Sequence, residues 1–223
     1  MFRVELEKER VGSLATVRRL PAYLHLLKQL NADGREFVSS THIGRDLKLQ
    51  PDQVRKDIAS TGIVGKPKSG YHVPALIHAI ETFLRWDNNT DAFLAGVGNL
   101  GSALLGYKGF EDYGLSIVSA FDSSPAKVGK VIHGRQILHM SKLRNLAERM
   151  HIHLGIIAVP AESAQEVADA MASAGIAAIW NFSPAGLNLP ENVIVENIDL
   201  ASSLAVLSRK LAIRLSGPAE ADL

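Results

Sequence analysis

Apolar positions recur along this chain in two rhythms, and the change between them divides it. From Leu20 a spacing of three and four residues through Tyr23, Leu24, Leu27 and Leu30 predicts a helix that opens at Pro21 and ends within Asn31 to Gly34. Ser39, Ser40 and Thr41 offer capping hydroxyls for a short helix that turns Ile43 and Leu47 inward. Pro51 opens a third, with Val54 and Ile58 one turn apart on its buried side. Because each residue advances ~100° around the axis, Gln53 and Lys56 lie roughly opposite that apolar pair, with Arg55 on the flank. Two short helices joined by a tight turn, the second polar and basic outward, make a helix-turn-helix pattern. Residues 63 to 73 then read as a glycine-bounded hairpin with Lys66 and Lys68 at its tip. Such a wing can meet phosphates or a minor groove. An amphipathic helix from about Pro74 to Trp86 and a linker at Asp87 to Thr90 complete this part.

Beyond the linker, short apolar runs alternate with helical stretches. Ala92 to Ala95, Leu115 to Phe121, Leu154 to Val159 and Ile176 to Trp180 read as buried strands with helices between them. That alternation implies an α/β unit with a parallel sheet and right-handed crossovers. The last helix, Leu200 to Leu215, carries Leu204, Leu207, Leu211 and Leu215 in a stripe and Val206 and Ile213 elsewhere. Two surfaces can bury it, its own sheet or a second subunit.

Gly96, Val97, Gly98, Asn99, Leu100 and Gly101 match G-x-G-x-x-G directly after an apolar strand and at the start of a helix. The first glycine permits the tight turn, the second a close approach to pyrophosphate, the third close packing of helix on strand. The helix N-terminus then offers free N–H groups to the phosphates. Asp122 ends the next strand about 20 residues on, where this fingerprint places an acid for the adenosine ribose. A carboxylate there accepts from ribose hydroxyls and repels a 2′-phosphate, so the expected ligand is NAD(H) and not NADP(H).

Composition narrows the chemistry. With no cysteine among 223 residues, thiol catalysis, disulfide switching and cysteine-held metal sites are excluded. Any redox role must run through a bound ligand. No run approaches the ~18 apolar residues of a membrane span, and MFRVELEKER lacks a signal-peptide core, so a cytoplasmic protein with no membrane partner is expected. Residues 1 to 82 carry 13 Lys and Arg against nine Asp and Glu, whereas the remainder carries 11 against 14. A basic front and an acidic remainder fit nucleic acid at one end only. A dehydrogenase would need a proton-moving group and a substrate pocket, usually in a further domain. The histidines supply no recognisable base, and His151 and His153 lack a third ligand nearby, so neither a catalytic nor a metal site is expected.

Taken together, the motifs resemble one family along nearly the whole chain. They include Arg19-Leu20-Pro21 with Tyr23, Val38-Ser39-Ser40, Gln53 to Asp57, Gly70-Tyr71, Gly96 to Gly101, Ala120 to Asp122, Val159-Pro160, Gly175-Ile176, Trp180 to Pro184 and Glu196 to Leu200. In order and spacing they are similar to the Rex redox-sensing transcriptional repressors of bacteria. The resemblance implies a winged helix for DNA, a Rossmann core for NAD(H), and a homodimer that exchanges C-terminal helices. It also implies release of operator DNA when NADH binds. By position it assigns Arg55 and Lys56 to groove and phosphate contacts, with Arg19, Ser39, Ser40 and Gln53 supporting and Lys66 and Lys68 in the wing. Val159, Pro160, Asn181, Ser183 and Asp199 fall near the nicotinamide. Where family members commonly have Tyr-Phe and Arg-Gly, this chain has Ser60-Thr61 and Pro67-Lys68. The expected division is a winged helix over 1–86, a Rossmann-like unit over 87–199 and a dimerisation helix and tail over 200–223. The alternative is an NAD-dependent oxidoreductase with a helical N-terminal accessory domain.

Overall fold

The computed structural model describes residues 13–215. The chain forms two compact units, the first reaching Asn89 and taking back Glu111–Gly114, the second comprising Thr90–Phe110 and the chain from Leu115 onward. The first contains α1 (Leu14–Ala32), β1 (Phe37–Val38), α2 (Ser40–Leu47), α3 (Pro51–Ala59), β2 (Tyr71–His72) and α4 (Val73–Leu84). Helix α1 starts about two turns before Pro21, the expected opening. Ser13 caps it, accepting a hydrogen bond from the Thr16 N–H at 3.1 Å, and Pro21 lies inside. Proline leaves one helical carbonyl without its usual donor. Burial of Thr16 on the face shared with Leu20, Tyr23, Leu24 and Leu27 extends the helix through that defect.

Ser39 caps α2 by accepting from the His42 N–H at 3.1 Å, and Pro51 stands in the first turn of α3. The hairpin differs from expectation. Its returning strand, β2, pairs antiparallel with β1, the segment before α2, while only a Lys66–Gly70 bridge closes the tip. The apolar faces of α1, α2, α3 and α4 converge on one core that includes Leu20, Leu24, Ile43, Val54, Ile58 and Leu76.

The second unit carries β3 (Thr90–Ala95), α5 (Asn99–Gly106), β4 (Leu115–Asp122), β5 (Val131–Ile132), β6 (Arg135–His139), α6 (Leu143–Met150), β7 (Leu154–Ile157), α7 (Ala161–Ser173), β8 (Ala178–Asn181), β9 (Ile194–Asn197) and α8 (Leu200–Leu215). The sheet runs β5-β6-β4-β3-β7-β8-β9, parallel except at the β5–β6 pair. In β3, Phe93 and Ala95 join one core, and Ala92 and Leu94 another. A central strand buried on both faces explains its unbroken apolar run. From β3 the chain proceeds outward through β4 and β6, then returns to place β7 on the other side. Doubly wound sheets bind ligands at such a reversal, beyond the strand C-termini. Helix α8 is exposed along its length, with Leu204 and Leu207 at 63% and Leu211 at 52%.

Candidate dinucleotide and DNA sites

The turn after β3 is shaped by its glycines. Gly96 has φ +91°, and a Cβ there would lie 2.5 Å from the Ala158 carbonyl oxygen beyond β7. A Cβ at Gly101 would stand 1.9 Å from the Gly96 oxygen, so helix α5 can seat against its strand only with glycine there. Gly98 differs from both, since its added Cβ would meet nothing within 4 Å. The backbone therefore borders open space at the α5 N-terminus, where a phosphate needs free N–H groups and the positive end of a helix.

Asp122 closes this turn from β4. Its Oδ2 accepts from the Val97 N–H and the Lys127 ammonium, both at 2.9 Å, and its Oδ1 accepts from the Ser124 N–H at 2.9 Å. Burial pushes this carboxyl's pKa upward, but the hydrogen bonds from Ser124, Val97 and Lys127 outweigh it and hold the group below the ordinary carboxylate range. A cavity of about 570 Å³ opens beside it and gathers Gly96, Gly98, Asp122, Val159 and Pro160 of the predicted set. Lys127, Ser123 and His139 line it as well, and sequence reasoning missed all three. Only Lys127 carried a signal, as a cation five residues past a strand-end acid.

A second cleft of about 610 Å³ lies between Phe182–Gly186 and Asn197–Ala201. Ser183 and Asp199 line it, and the Ser183 hydroxyl oxygen is buried without a hydrogen-bond partner among the described residues. Asn181 lines neither space. It is fully buried, accepts from the Ser183 N–H at 3.0 Å, and donates to the Ala185 carbonyl and the Asn197 side chain at 2.9 and 2.8 Å. Its role here is to fix the loop that carries Ser183. Asp199 accepts from the Ser202 hydroxyl and backbone N–H at the start of α8, and these bonds lower its pKa. Val97 is buried, while Asn99 and Leu100 are exposed at the head of α5.

In the first unit, Arg55 and Lys56 are exposed on α3, as are Lys66 and Lys68 at the hairpin tip. Arg55 pairs with Asp52, one turn away and also exposed. Such a pair is worth little in solution and yields readily to a stronger anion. The Lys66 ammonium stands 5.5 Å above the Phe37 ring. Four of the predicted DNA-facing residues have work inside the unit. Ser39 caps α2, Ser40 is buried, and Gln53 and Arg19 both turn to Asp57. This carboxylate, only 1% exposed, accepts from Arg19 Nε and Nη2 at 2.6 and 2.8 Å, Tyr23 at 2.7 Å, Gln53 at 2.9 Å and Thr16 at 3.0 Å. Burial opposes its ionisation, yet Arg19, Tyr23, Gln53 and Thr16 together bring its pKa down to about 2. Tyr23, buried against this anion, has its own pKa raised.

A winged helix-turn-helix unit on one chain with a Rossmann-like phosphate cradle defines a class, the DNA-binding regulators that carry their own nucleotide sensor. Matches to known proteins make the class specific. Residues 87–185 match the CoA binding domain family and residues 13–59 a family described as a putative DNA-binding protein N-terminus. The chain is 48% identical to the redox-sensing transcriptional repressor Rex of Treponema denticola, over 91% of this chain and 96% of that protein. With the Rex of Bacteroides fragilis it shares 41% identity over 88% and 89%. The solved structure of RSP with beta-NAD+ and operator DNA superposes with a TM-score of 0.84 at 32% identity, covering 93% of this chain and 98% of that one. RSP with beta-NADH gives 0.82 at 32% identity, over 91% and 95%. The chain belongs to the Rex family of redox-sensing transcriptional repressors. The regulator reading therefore stands over the oxidoreductase one.

Proposed function

We propose that this chain is a cytoplasmic repressor that binds palindromic operator DNA as a homodimer and leaves it when NADH binds. One observation carries the reading: an exposed basic helix on a winged-helix unit shares a chain with a glycine cradle whose Gly98 borders open space. The relatives named above agree with it, since RSP has been solved with operator DNA and beta-NAD+ and with beta-NADH. Gly96 to Gly101 would hold the pyrophosphate and Asp122 the adenosine ribose. Val159, Pro160 and the unpartnered Ser183 hydroxyl would meet the nicotinamide end, on a loop fixed by Asn181 and beside Asp199. Arg55 and Lys56 would enter the major groove, Lys66 and Lys68 would reach the backbone beside it, and the capped start of α2 at Ser39 and Ser40 would face a phosphate. Gln53 and Arg19 would support them through Asp57.

The exposed leucines of α8 support the dimer, because a helix 16 residues long with no buried side chain needs a second surface. A two-fold dimer places its recognition helices about 34–36 Å apart for successive major grooves. NADH can empty the operator only by binding the released arrangement more tightly, and a near-complete switch takes ~5.5 kcal/mol of differential binding. Two ligand sites per dimer share that demand. A gel shift on genomic fragments, with and without NADH, tests the reading. Retardation that NADH abolishes, and that Arg55→Ala weakens while NADH binding persists, is the expected result. Retardation insensitive to NADH, or steady NADH consumption with small carbonyl substrates, would overturn it.

A further inference from the structure

The first unit holds a second basic cluster, distinct from Arg55, Lys56, Lys66 and Lys68. Arg35, just before β1, and Arg45, on α2, bring their guanidiniums to one imidazole, that of His42. Arg35 Nη1 lies 3.3 Å from both ring nitrogens, and Arg45 Nη2 lies 3.2 Å from Nδ1. The ring cannot serve both. His42 Nε2 faces Asp46 at 3.1 Å, and an N–H directed there leaves Nδ1 as the single acceptor of a neutral imidazole. Asp46 is also the carboxylate that Arg45 Nε reaches, at 3.1 Å. Arg35 has no carboxylate partner among the described residues. Two guanidiniums thus converge on one acceptor nitrogen and one anion. The His42 N–H is spent on the Ser39 cap, so the cluster offers side chains and not the end of a helix.

The wing frames this cluster. Arg35 leads into β1, whose Phe37 and Val38 pair with His72 and Tyr71 of the returning strand, and the Val73 N–H donates to the Glu36 carbonyl at 2.8 Å. Phe37, two residues along, carries the Lys66 ammonium over its ring at 5.5 Å. The chain at Arg35 therefore has a fixed place beside α2. Its side chain is exposed, as is that of Arg45, at 71%. Planar forks of donors that outnumber their acceptors suit a phosphate, whose oxygens take paired N–H bonds from a guanidinium. We propose that Arg35, His42 and Arg45 form a clamp for a backbone phosphate of duplex DNA, a contact additional to the groove helix and the wing tip. The proposal rests on the DNA-binding reading above. A phosphate contact carries no sequence information, so the clamp adds affinity for operator and unrelated duplex alike.

The test is fluorescence anisotropy of the full chain with two labelled duplexes of equal length across about 50 to 200 mM salt. One is a genomic fragment that the wild type retards, the other a duplex of unrelated sequence. In Arg35→Ala with Arg45→Ala, the slope of log K against log [salt] should shrink by about 0.9, the value of one lost phosphate contact. Over the decade below ~1 M that slope amounts to about eightfold in affinity at ~0.1 M, and both duplexes should lose it equally. Arg35→Gln alone breaks no ion pair, so it keeps the fold, and should give about half that change in slope. Arg35→Lys with Arg45→Lys keeps the charges and should hold the slope within about 0.3 of wild type. A wild-type slope in the alanine or glutamine variant, or a loss confined to the genomic fragment, overturns the proposal. So does an equal loss from Arg144→Ala with Arg149→Ala, two exposed arginines of the second unit, since net charge would then explain it. If the wild type binds neither duplex, the DNA-binding reading falls and takes this proposal with it.

Discussion

Asp57 links α3 to the rest of its unit, and replacing it with asparagine should expose how much that link contributes. Four side chains donate to it, three of them from α1 and far away in sequence, so α3 is held to α1 through one buried carboxylate. Its pKa falls from the ordinary 3.8 to about 2 on folding. At ~1.36 kcal/mol for each tenfold change in acid dissociation, the ionised group favours the native state by about 2 kcal/mol. A depressed carboxylate pKa contributes stability that is complete well above 3.8 and is lost as pH falls through 2. At pH 3 roughly half of it should remain. Asp57→Asn keeps the size but leaves the Arg19 charge uncompensated, a defect whose cost at neutral pH is about 2–4 kcal/mol.

The two tryptophans make this measurable by unit. Trp86 stacks on Tyr113 in the first, and Trp180 packs between Phe110 and Phe182 in the second. In a Trp180→Phe background, urea unfolding followed by Trp86 fluorescence at fixed protein concentration reports the DNA-binding unit alone. The expected result is a wild-type advantage over Asp57→Asn of about 2 kcal/mol or more at pH 7 that shrinks by at least 1 kcal/mol by pH 3. An advantage that is equal at the two pH values, or below about 0.5 kcal/mol at pH 7, would refute the assignment of the stability to this ionised group.

The glycines of the cradle separate by role. Gly98→Ala puts a methyl into open space at φ −77°, so the melting temperature should hold within about 2 °C while NADH binding falls by about tenfold or more. NADH binding at wild-type strength would mean that the phosphates lie elsewhere. Gly101→Ala instead drives a methyl into the Gly96 carbonyl and should destabilise the second unit by about 1–3 kcal/mol, read from Trp180 in urea. On α8, Leu207→Asp with Leu211→Asp places charges on two leucines that are 63% and 52% exposed within a single chain. Sedimentation equilibrium should then give the monomer mass, and a variant that keeps the wild-type dimer mass would remove α8 from the interface.

What could be read from the sequence was what repeats locally. The helical spacing of Leu20, Leu24 and Leu27, the caps at Ser39 and Pro51, and the strand–glycine–helix order around Gly96 are each fixed within a dozen residues, and each element appears where its pattern lies. The misses have physical reasons. Pro21 is a strong opening signal, but Ser13 and the buried Thr16 start α1 earlier, and packing tolerates an interior proline. Strands β5 and β9 are short edge elements, with Val131 67% and Ile194 70% exposed, so neither shows a buried run or a clean alternation. The hairpin paired with β1 because its partner strand lies before two helices, a contact that no local spacing encodes.

Polar residues were harder to place than apolar ones, for a reason general to small sites. An arginine on a helix flank looks the same in sequence whether it will meet a phosphate or a carboxylate of its own fold. Arg19 and Asp57 are 38 residues apart, and Val97 and Asp122 are 25 apart, yet each pair is in direct hydrogen-bond contact. A buried carboxylate must find several donors to remain ionised, so it draws nearby polar side chains inward. Arg19, Gln53 and Thr16 are drawn to Asp57, and Lys127 to Asp122. The two acids thus act alike, one in each unit. Each one is paired with a cation from its own unit. Arg19 makes Asp57 a strut between α1 and α3, and Lys127 joins Val97 in holding Asp122 against the glycine turn.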